Sequence, residues 1–497
     1  MKSSLFRWSL LSCSVFALGG TPAAHAEWAS DPADNLVLSD VAGSTEPKIA
    51  ATPDGGFYVS WLDGMGSGYD LRLQRLDAQG NELWAHGGIL VLDRDFSFNY
   101  DYGLAVDAAG NAWLSLNCCV QGEDEHIAIS KVAPDGTVAW GATGMDVSGT
   151  SEGTYNAYVT AAEDDRVVVA WSSDNGVRAQ KLDADGTPQW AAGGVLIDDP
   201  SGLKLLGGVV ADADGNAIVS WNNQPTFTTR ILMGQKLASA DGGPLWNDGS
   251  GLRIFDEGNL QAGYYPPPIA DGAGGAVFFD YDLVGVNWVP RVQRVDATGN
   301  RLFGANGTLG TTEAGHDHVG TSATFDPASG DIYLLWTDTW IEDMQDWESV
   351  SAQRIDASGQ RAWGDTGKLL VPPANATDGT SVVSQLVALP APDGFIASWV
   401  TGANPGIDQP LRAARLDAAG EFVWETPVVT VKSARSTGYL AGAASVDGFL
   451  AWAWQDGEES ASTLRAQNLN LDGTLGPIGE DDVIFADGFD GIAPPVL

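Results

Sequence analysis

The chain of 497 residues contains little cysteine. Of its three cysteines, Cys13 lies in an N-terminal apolar stretch, and Cys118 and Cys119 are adjacent. Two neighbouring cysteines cannot form the several cross-links of a disulfide-stapled fold, so stability must come from a packed core. The composition can supply that core, because 44% of the residues are hydrophobic and 19 are tryptophan.

Basic residues are also scarce. The sequence has 25 Lys and Arg against 65 Asp and Glu, a formal net charge of −40. Nucleic acid and anionic membrane surfaces both require a positive face on their protein partner, so the charge weighs against both as partners. Neutral ligands, cationic ligands and metal cations remain open, and the high charge also favours solubility.

Long hydrophobic runs are absent beyond the N-terminus, so no transmembrane segment is predicted. The N-terminus has two basic residues, an apolar run from Trp8 to Leu18 and the small-residue pattern Ala24-His25-Ala26. This order predicts a signal peptide over residues 1–26, and hence export to the periplasm, the cell surface or the medium. The residues before Cys13 loosely resemble a lipoprotein box, but the apolar run ahead of them is short, so cleavage after Ala26 is preferred.

An internal repeat is the main signal in the sequence. One half of the unit is an apolar strand that ends in tryptophan, at Trp61, Trp171, Trp221, Trp336 and Trp399, with Leu116 and Asp280 at this place in the second and fifth copies. The other half reads Gln-basic-apolar-Asp-Ala-x-Gly in its clearest copies, with variants in the second, fourth and seventh. It leads to an outer aromatic residue, at Trp84, Trp140, Trp190, Trp246, Phe303, Trp363 and Trp424. Successive outer aromatics are 50 to 61 residues apart, which is enough for four short strands.

Eight copies of the first half-unit predict an all-β chain forming a single β-propeller with eight four-stranded blades over residues 27–477, although a count wrong by one blade remains open. The eighth copy has Pro477 where its outer aromatic should fall, and no apolar strand follows. Glu27-Trp28 and the apolar residues 35–40 resemble Trp84 and the strand after it. We therefore expect the N-terminal strand to complete the last blade and close the ring, whereas a solenoid would need capping repeats.

The Asp-Ala-x-Gly segments predict tight turns in which Asp accepts backbone hydrogen bonds and Gly adopts a left-handed conformation. In the preceding strand, Arg75 and Asp77 point to one face because strand side chains alternate. The same basic-x-acidic pattern recurs in other repeats, for example at Lys181 and Asp183. We therefore expect many of the basic residues to be held in repeated structural ion pairs.

The half-unit ending Arg-Leu-Asp-Ala-x-Gly-x-x-x-Trp resembles the delta-60 type repeat of secreted bacterial propellers, with Trp where that repeat has Phe. Its Leu-Asp-Ala…Trp element also resembles the docking repeat of pyrroloquinoline-quinone-type propellers, without their usual Thr-Gly pair. Both resemblances imply a propeller, and neither implies a reaction. The C-terminal tail, 478–497, holds Ile484-Phe485-Ala486-Asp487-Gly488-Phe489. It resembles a tail of secreted gammaproteobacterial proteins; a sorting role, an extra strand and a disordered tail all remain open.

Fragments of cofactor and metal motifs are present but incomplete. Residues 212–216 and 183–186 resemble parts of calcium loops, but they lack the distal acidic ligand, so plain turns are preferred and no cofactor is predicted, with calcium left open. Cys118-Cys119 could form a vicinal disulfide of the kind some quinoprotein dehydrogenases carry. His316 and His318 could bind a metal, although surface histidines are the preferred interpretation because no ligand spacing is complete.

The loops divide into two kinds. The Asp-Ala-x-Gly turns are short and uniform, whereas the blade-to-blade connections and the loops between strands two and three are long and varied, and both of these emerge on one face. Variation on one face of a rigid scaffold is typical of a binding site. The predicted ligand-binding residues on this face are Tyr100, Tyr102, Tyr155, Tyr264, Tyr265, Trp288, Trp340, Trp347, Asp282 and Asp338.

Aromatic rings mixed with carboxylates suit sugars, peptides or cationic groups. The sequence thus favours an exported, non-catalytic binding or scaffold propeller with a glycan, peptide or protein ligand. Alternatively, the aromatics plug the mouth of the ring. The other alternative is an enzyme, either a quinoprotein dehydrogenase or a carbohydrate-active one, with its site at that mouth.

Overall fold

The structure of the protein is a computed structural model, and the residues it describes are 27–64, 68–94, 101–119, 125–149, 152–197, 202–403, 408–458 and 461–477. The predicted signal peptide and the predicted C-terminal tail lie outside the described residues. Within them, no helix is long and apolar enough to cross a membrane.

The described strands form eight four-stranded antiparallel sheets, which are the blades of an eight-bladed β-propeller. The chain begins with β1 (Leu36–Ser39). Blades 1 to 4 follow, each from its inner to its outer strand: β2 (Ser44–Ala51), β3 (Phe57–Asp63), β4 (Asp70–Leu76), β5 (Ile89–Leu92); β6 (Gly103–Val106), β7 (Ala112–Cys118), β8 (His126–Val132), β9 (Met145–Asp146); β10 (Thr154–Ala161), β11 (Val167–Ser173), β12 (Gly176–Leu182), β13 (Val195–Ile197); β14 (Leu203–Ala211), β15 (Ala217–Thr226), β16 (Thr229–Leu237), β17 (Leu252–Arg253).

Blades 5 to 7 have the same order: β18 (Ile269–Ala270), β19 (Ala276–Val284), β20 (Asn287–Val295), β21 (Thr308–Leu309); β22 (Asp317–Asp326), β23 (Asp331–Glu342), β24 (Gln345–Ile355), β25 (Lys368–Asn375); β26 (Val383–Ala391), β27 (Gly394–Thr401), β28 (Leu411–Asp417), β29 (Val429–Lys432). Blade 8 has β30 (Thr437–Ala444), β31 (Leu450–Asp456) and β32 (Thr463–Leu469). Two short 3-10 helices, Gly141–Thr143 and Asn247–Gly249, lie before outer strands.

Blade 8 is completed by the N-terminal strand, as the sequence predicts. β1 pairs antiparallel with β32, with Leu36 opposite Ala466 and Val37 opposite Arg465. On the inner side of the ring, β2 of blade 1 contacts β30 of blade 8. The ring is therefore closed at both its inner and outer ends, and the prediction of eight blades with terminal closure is confirmed.

The core lies between neighbouring blades. The second strand of a blade is buried on both faces, and in β3, β7, β11 and β31 every residue is buried. Large apolar side chains from two adjacent blades share each cluster; one cluster joins Phe279 of β19 to Trp336 of β23. A continuous apolar strand is what such two-sided burial requires.

Each blade is fastened to the next by its outer aromatic residue, whose ring lies on the glycine of the turn that follows the third strand of the next blade. A β-carbon at any of these glycines would lie 2.5 to 3.1 Å from the nearest ring atom, which is closer than normal packing allows. Their φ values of 73 to 91° suit glycine best. The eight contacts, in order around the ring, are Trp28–Gly80, Trp84–Gly136, Trp140–Gly186, Trp190–Gly242, Trp246–Gly299, Phe303–Gly359, Trp363–Gly420 and Trp424–Gly473.

The repeated glutamine holds the aromatic segment in place. Gln180 Nε2 donates to Ala191 O at 2.8 Å, and its Oε1 accepts from the backbone N–H of Trp190 at 3.0 Å. In the closing blade, Gln467 Nε2 donates in the same way to Ala29 O at 2.7 Å. The segment around Trp28 is thus bound to blade 8 as the outer segments of blades 1, 3, 4, 5 and 6 are bound to their own blades.

The basic residue of each repeat has a different partner from the one the sequence suggests. Arg75 pairs with Asp54 at 2.5 Å, and Lys181 pairs with Glu163 at 2.5 Å, in both cases an acid near the turn between strands one and two. Asp77 instead accepts backbone N–H groups of its own turn, from Gln79 at 3.0 Å and Asn81 at 2.8 Å. The expectation of repeated ion pairs holds, but Arg75 and Asp77 are not the pair.

Removing residues 27–40 deletes β1 and Trp28 together. The deletion exposes the edge of β32 and removes one blade-to-blade contact. We expect this truncated chain to melt at a lower temperature and to aggregate, because an open sheet edge recruits other chains. A synthetic peptide with the sequence of residues 27–40 should restore the melting temperature when added in trans, because it can add a strand to that edge. Thermal melts with and without the peptide test this; an unchanged melting temperature after truncation would refute the closure.

Phe303 is the single phenylalanine among the eight outer aromatics, and a surface groove of about 550 Å³ lies beside it, lined by Gly307, Thr308 and Gly359 among others. We expect Phe303→Trp to stabilise the protein by roughly 1 kcal/mol, because the indole N–H gains a backbone acceptor. Trp246 and Trp363 donate in this way to Ala297 O at 3.2 Å and Ala418 O at 3.0 Å. Urea unfolding measures the effect. Loss of stability would show that the groove does not admit the larger ring.

Candidate functional site

The hairpins between strands two and three, together with the blade-to-blade connections, emerge on one side of the ring, which we call the loop face. On this face the hairpins of blades 4, 5 and 6 are extended. β15 and β16 have 10 and 9 residues, β19 and β20 have 9 each, and β23 and β24 have 12 and 11, against 7 in each strand of the blade 3 hairpin. The loop face is therefore raised over three consecutive blades.

Blade 5 has an incomplete inner strand. β18 contains two residues, and the chain before it runs through Pro266, Pro267 and Pro268, which have no N–H to donate to a sheet. The upper half of β19 is bridged instead by Leu260, which lies opposite Asp282. The connection then carries Tyr264 towards blade 6, where its hydroxyl donates to Thr321 O.

Two groups of partly exposed rings line the cleft between blades 5 and 6 at the loop face, which we call the aromatic cleft. On blade 5, the ring of Tyr281 lies 4.6 Å from that of Tyr264 and 5.9 Å from that of Trp288. On blade 6, His316 stacks on Trp340 at 4.3 Å, and Trp340 stacks on Trp347 at 6.3 Å.

The strand pleat places these two groups on facing walls. Alternation puts Tyr281 on the same side of β19 as Val277 and Phe279, which pack against Trp336 of blade 6. Trp340 lies on the same side of β23 as Trp336. Among the described residues, no ring of one wall is in ring-to-ring contact with a ring of the other.

Asp317 connects the two walls. Its Oδ1 accepts the backbone N–H of Trp288 at 2.9 Å and the amide of Asn287 at 3.3 Å. Burial raises the pKa of Tyr281, and it raises that of Tyr264 well above the usual value. Both tyrosines therefore remain protonated at neutral pH. The cleft combines ring surfaces with a carboxylate and hydroxyl groups, which can accept and donate hydrogen bonds.

The structure brings together Tyr264, Trp288, Trp340 and Trp347 of the predicted binding residues, with His316 beside them. Tyr265 lies on the same connection as Tyr264. The other predicted tyrosines lie elsewhere. Tyr100 is outside the described residues; Tyr102 is buried, with its hydroxyl donating to Glu46 O at 2.9 Å; and Tyr155 is on blade 3, where its hydroxyl donates to Asp174 at 2.6 Å.

Asp282 lies beneath the loop face and not on it. It is fully buried on the blade 4 side of β19, together with Asp280, and both carboxylates contact Arg291. The Arg291 guanidinium also lies 3.9 Å from the centre of the Phe255 ring. Because side chains alternate along β19, the same strand that turns Tyr281 towards the cleft turns both acids away from it. Burial raises the pKa of Asp280 although Arg291 opposes this.

Asp338 and His318 are also buried. Asp338 Oδ1 is 2.6 Å from His318 Nδ1 and accepts the indole N–H of Trp336 at 2.6 Å, and its Oδ2 accepts the hydroxyl of Ser351 at 2.6 Å. His318 thus supports the floor of the cleft and is not open to a metal ion. Within the described ranges, no group of three or more His, Cys, Asp and Glu side chains is placed to hold a metal. The adjacent Cys118 and Cys119 are joined by a disulfide.

A second polar cluster lies on the inner strands of blades 1 to 3. Asp101 is 2.8 Å from Lys48 Nζ and accepts the hydroxyl of Tyr158 at 2.6 Å. Burial disfavours its charge, but Lys48 and these hydrogen bonds outweigh burial, so the pKa of Asp101 lies below its usual value. Burial, followed by the charge of Asp101, raises the pKa of Tyr158 well above its usual value.

No protein-family model and no curated protein matches the chain. Solved structures that it resembles include the polysaccharide lyase Uly1, with 11% identity, a TM-score of 0.40 and coverage of 88% of this chain and 91% of that one. A PL25 ulvan lyase has 12% identity, a TM-score of 0.45 and coverage of 92% and 98%. The NanB sialidase from Streptococcus pneumoniae has 9% identity, a TM-score of 0.36 and coverage of 95% and 73%. Likeness at this level carries no function to this chain.

Arg291→Met should leave Asp280 and Asp282 as unpaired buried carboxylates, and we expect a loss of about 3–5 kcal/mol in the free energy of unfolding. A raised pKa in the folded state means that the folded protein holds a proton which the unfolded chain releases, so stability falls as pH rises between the two pKa values. Without Arg291, the pKa of Asp280 in the folded state rises further, so the pH range over which stability falls becomes wider. The loss in the free energy of unfolding should therefore be greater at pH 8 than at pH 5.

Urea unfolding at both pH values measures the effect. Arg301→Met is the control, since the pair that Arg301 forms with Asp256 at 2.6 Å is partly exposed and should contribute less than about 1 kcal/mol. Equal losses for the two variants would contradict the description of Arg291 as the neutralising group of a buried cluster.

Proposed function

We propose that the protein is a non-catalytic recognition propeller that binds neutral or amino-sugar carbohydrate in the aromatic cleft between blades 5 and 6. The observation that carries the proposal is the pair of facing aromatic walls, Tyr281 and Trp288 on one side and His316, Trp340 and Trp347 on the other. All five side chains are partly exposed.

Sugars present apolar C–H faces and hydroxyl edges, so they are bound by rings that bury the faces and by polar groups that meet the edges. The cleft has both kinds of group. Trp288 and Trp347 provide the largest ring surfaces, while Asp317 and the tyrosine hydroxyls lie within the same cleft.

The charge of the protein narrows the ligand class. With a net charge of −40 and a carboxylate at Asp317, the cleft disfavours polyanionic sugars. Neutral chains meet no such repulsion, and an amino sugar could pair its ammonium group with Asp317 and with the ring faces.

The two tyrosines of the cleft suit binding better than acid–base catalysis. A general acid or base works best when its pKa lies near the working pH. Burial raises the pKa values of Tyr264 and Tyr281, which moves them further from neutrality. Both tyrosines therefore keep one charge state at neutral pH, which suits a fixed recognition surface.

We expect Trp288→Ala and Trp347→Ala each to weaken carbohydrate binding by about tenfold, since the loss of one stacking ring is worth roughly 1.4 kcal/mol. The measurement is affinity electrophoresis against immobilised neutral and amino-sugar polysaccharides, followed by titration of tryptophan fluorescence with oligosaccharides of the best binder. Tyr439→Ala is the matched control, because this exposed aromatic lies on the inner strand of blade 8, away from the cleft.

Two results would overturn the proposal. One is the absence of binding by the parent protein to any polysaccharide in the panel. The other is binding that both cleft variants retain in full, which would place the carbohydrate elsewhere on the ring. Thermal melts of each variant separate a binding defect from a folding defect.

A further inference from the structure

The extended hairpins of blades 4, 5 and 6 end in two-residue turns that expose apolar side chains. Phe227 is 91% exposed, Val286 is 88% exposed and Met344 is 90% exposed. Ile341, beside the last of these turns, is 75% exposed. We call these four residues the apolar crest. Apolar side chains gathered on consecutive blades and left open to water are typical of an interaction surface.

The fold does not require apolar residues at these positions. Two-residue hairpin turns favour Asn, Asp and Gly, and the blade 3 hairpin has Asp174 and Asn175 in its turn. Met344 even adopts a left-handed conformation with φ of 62°, which is unfavourable for a long side chain. Methionine destabilises this turn relative to asparagine or glycine. Contact with a partner therefore explains its presence better than formation of the turn does.

The three hairpins are connected, so the crest acts as one surface. Between blades 4 and 5, Arg230 donates to Leu260 O at 3.2 Å, and Leu260 bridges to Asp282 of β19. Between blades 5 and 6, Asp317 accepts from Asn287, the residue that follows the turn of Val286. The turns are thus held relative to one another by the structure beneath them.

Exposed acidic side chains flank the blade 6 end of the crest. Glu342 and Asp343 lie next to Met344, Asp346 follows two residues later, and Glu257 lies on the connection before blade 5; all four are exposed. Arg230, the basic residue nearest Phe227 in the sequence, is turned towards the backbone of Leu260. The crest therefore presents apolar tips together with exposed carboxylates.

We propose that the apolar crest docks a cationic amphipathic segment of a partner polypeptide, which buries its apolar side against Phe227, Val286, Ile341 and Met344 and sets its basic residues against the exposed acids. A second copy of this chain does not fit, because it would bring the same acids to the interface at a net charge of −40 on each molecule. An anionic lipid surface is repelled for the same reason. Methionine and aromatic residues are common at such interfaces, because they adapt to the partner's shape.

The test uses a defined probe, a fluorescent peptide of lysine and leucine that forms about five turns of amphipathic helix. We expect the parent protein to bind it, and Phe227→Ser, Val286→Ser and Met344→Ser combined to weaken binding by about tenfold or more. The control combines Leu83→Ser, Leu302→Ser and Val423→Ser, which lie outside the crest and are 44%, 45% and 45% exposed. This control should bind as the parent does.

Two outcomes would overturn the proposal. One is a parent protein that does not bind the peptide; if that parent binds phosphatidylcholine vesicles, the crest is a lipid-contacting surface. The other is a crest variant that binds the peptide as tightly as the parent, which would show attraction by charge alone. The crest variant keeps every ring of the aromatic cleft, so its carbohydrate binding should equal that of the parent, and failure of either proposal leaves the other intact.

Discussion

An aromatic ring packed on a glycine of the neighbouring turn is the contact on which the rest of this structure depends. A single blade has two apolar faces and cannot bury either by itself. The ring of Trp84 on Gly136, and its counterpart in every other blade, fixes the spacing at which neighbouring faces meet. Trp28, in the segment that completes blade 8, packs on Gly80 of blade 1, so the same contact that joins successive blades also joins the last blade to the first. Together with the pairing of β1 and β32, this contact closes the ring.

Because these contacts hold the blades together, the residues of the loop face are free to vary. The outer aromatic residues and the turns that carry their glycines lie on the opposite side and the outer rim, where an aromatic ring and a glycine recur in every blade. Blade 5 shows what that freedom permits: three prolines replace the upper part of its inner strand, and Asp280 stands where most blades have tryptophan. Departures from a repeat are expected where function, not folding, selects the residue. Both the aromatic cleft and the apolar crest lie on or beside this blade.

The fold could be predicted from the sequence because its determinants are local and repeated. Trp28 was identifiable as an outer aromatic from the resemblance of its surroundings to those of Trp84, and the structure confirms the strand that follows it. The residues of the candidate site could be predicted less well from the sequence. Tyr281 was missed because it lies within a strand, whereas Asp282 and Asp338 were expected at the surface although the pleat turns them into blade interfaces. Deciding which face of a strand meets which neighbour requires the register of the whole ring, and a one-residue shift reverses the answer. For the same reason, Arg75 pairs with Asp54, an acid from another turn, and not with its neighbour Asp77.

The interface that holds the aromatic cleft is also the one whose outer aromatic residue is a phenylalanine. Between blades 5 and 6 this residue is Phe303, which packs on Gly359 and has no indole N–H. Thr308 Oγ1 donates to Gly359 O at 2.7 Å there, and at the loop face Tyr264 and Asp317 add further bonds between the two blades. The blade-to-blade contacts at this interface are therefore partly made by residues of the cleft itself. A ligand held between Trp288 and Trp347 would contact both blades directly, so its binding energy would add to the contacts that hold these two blades together.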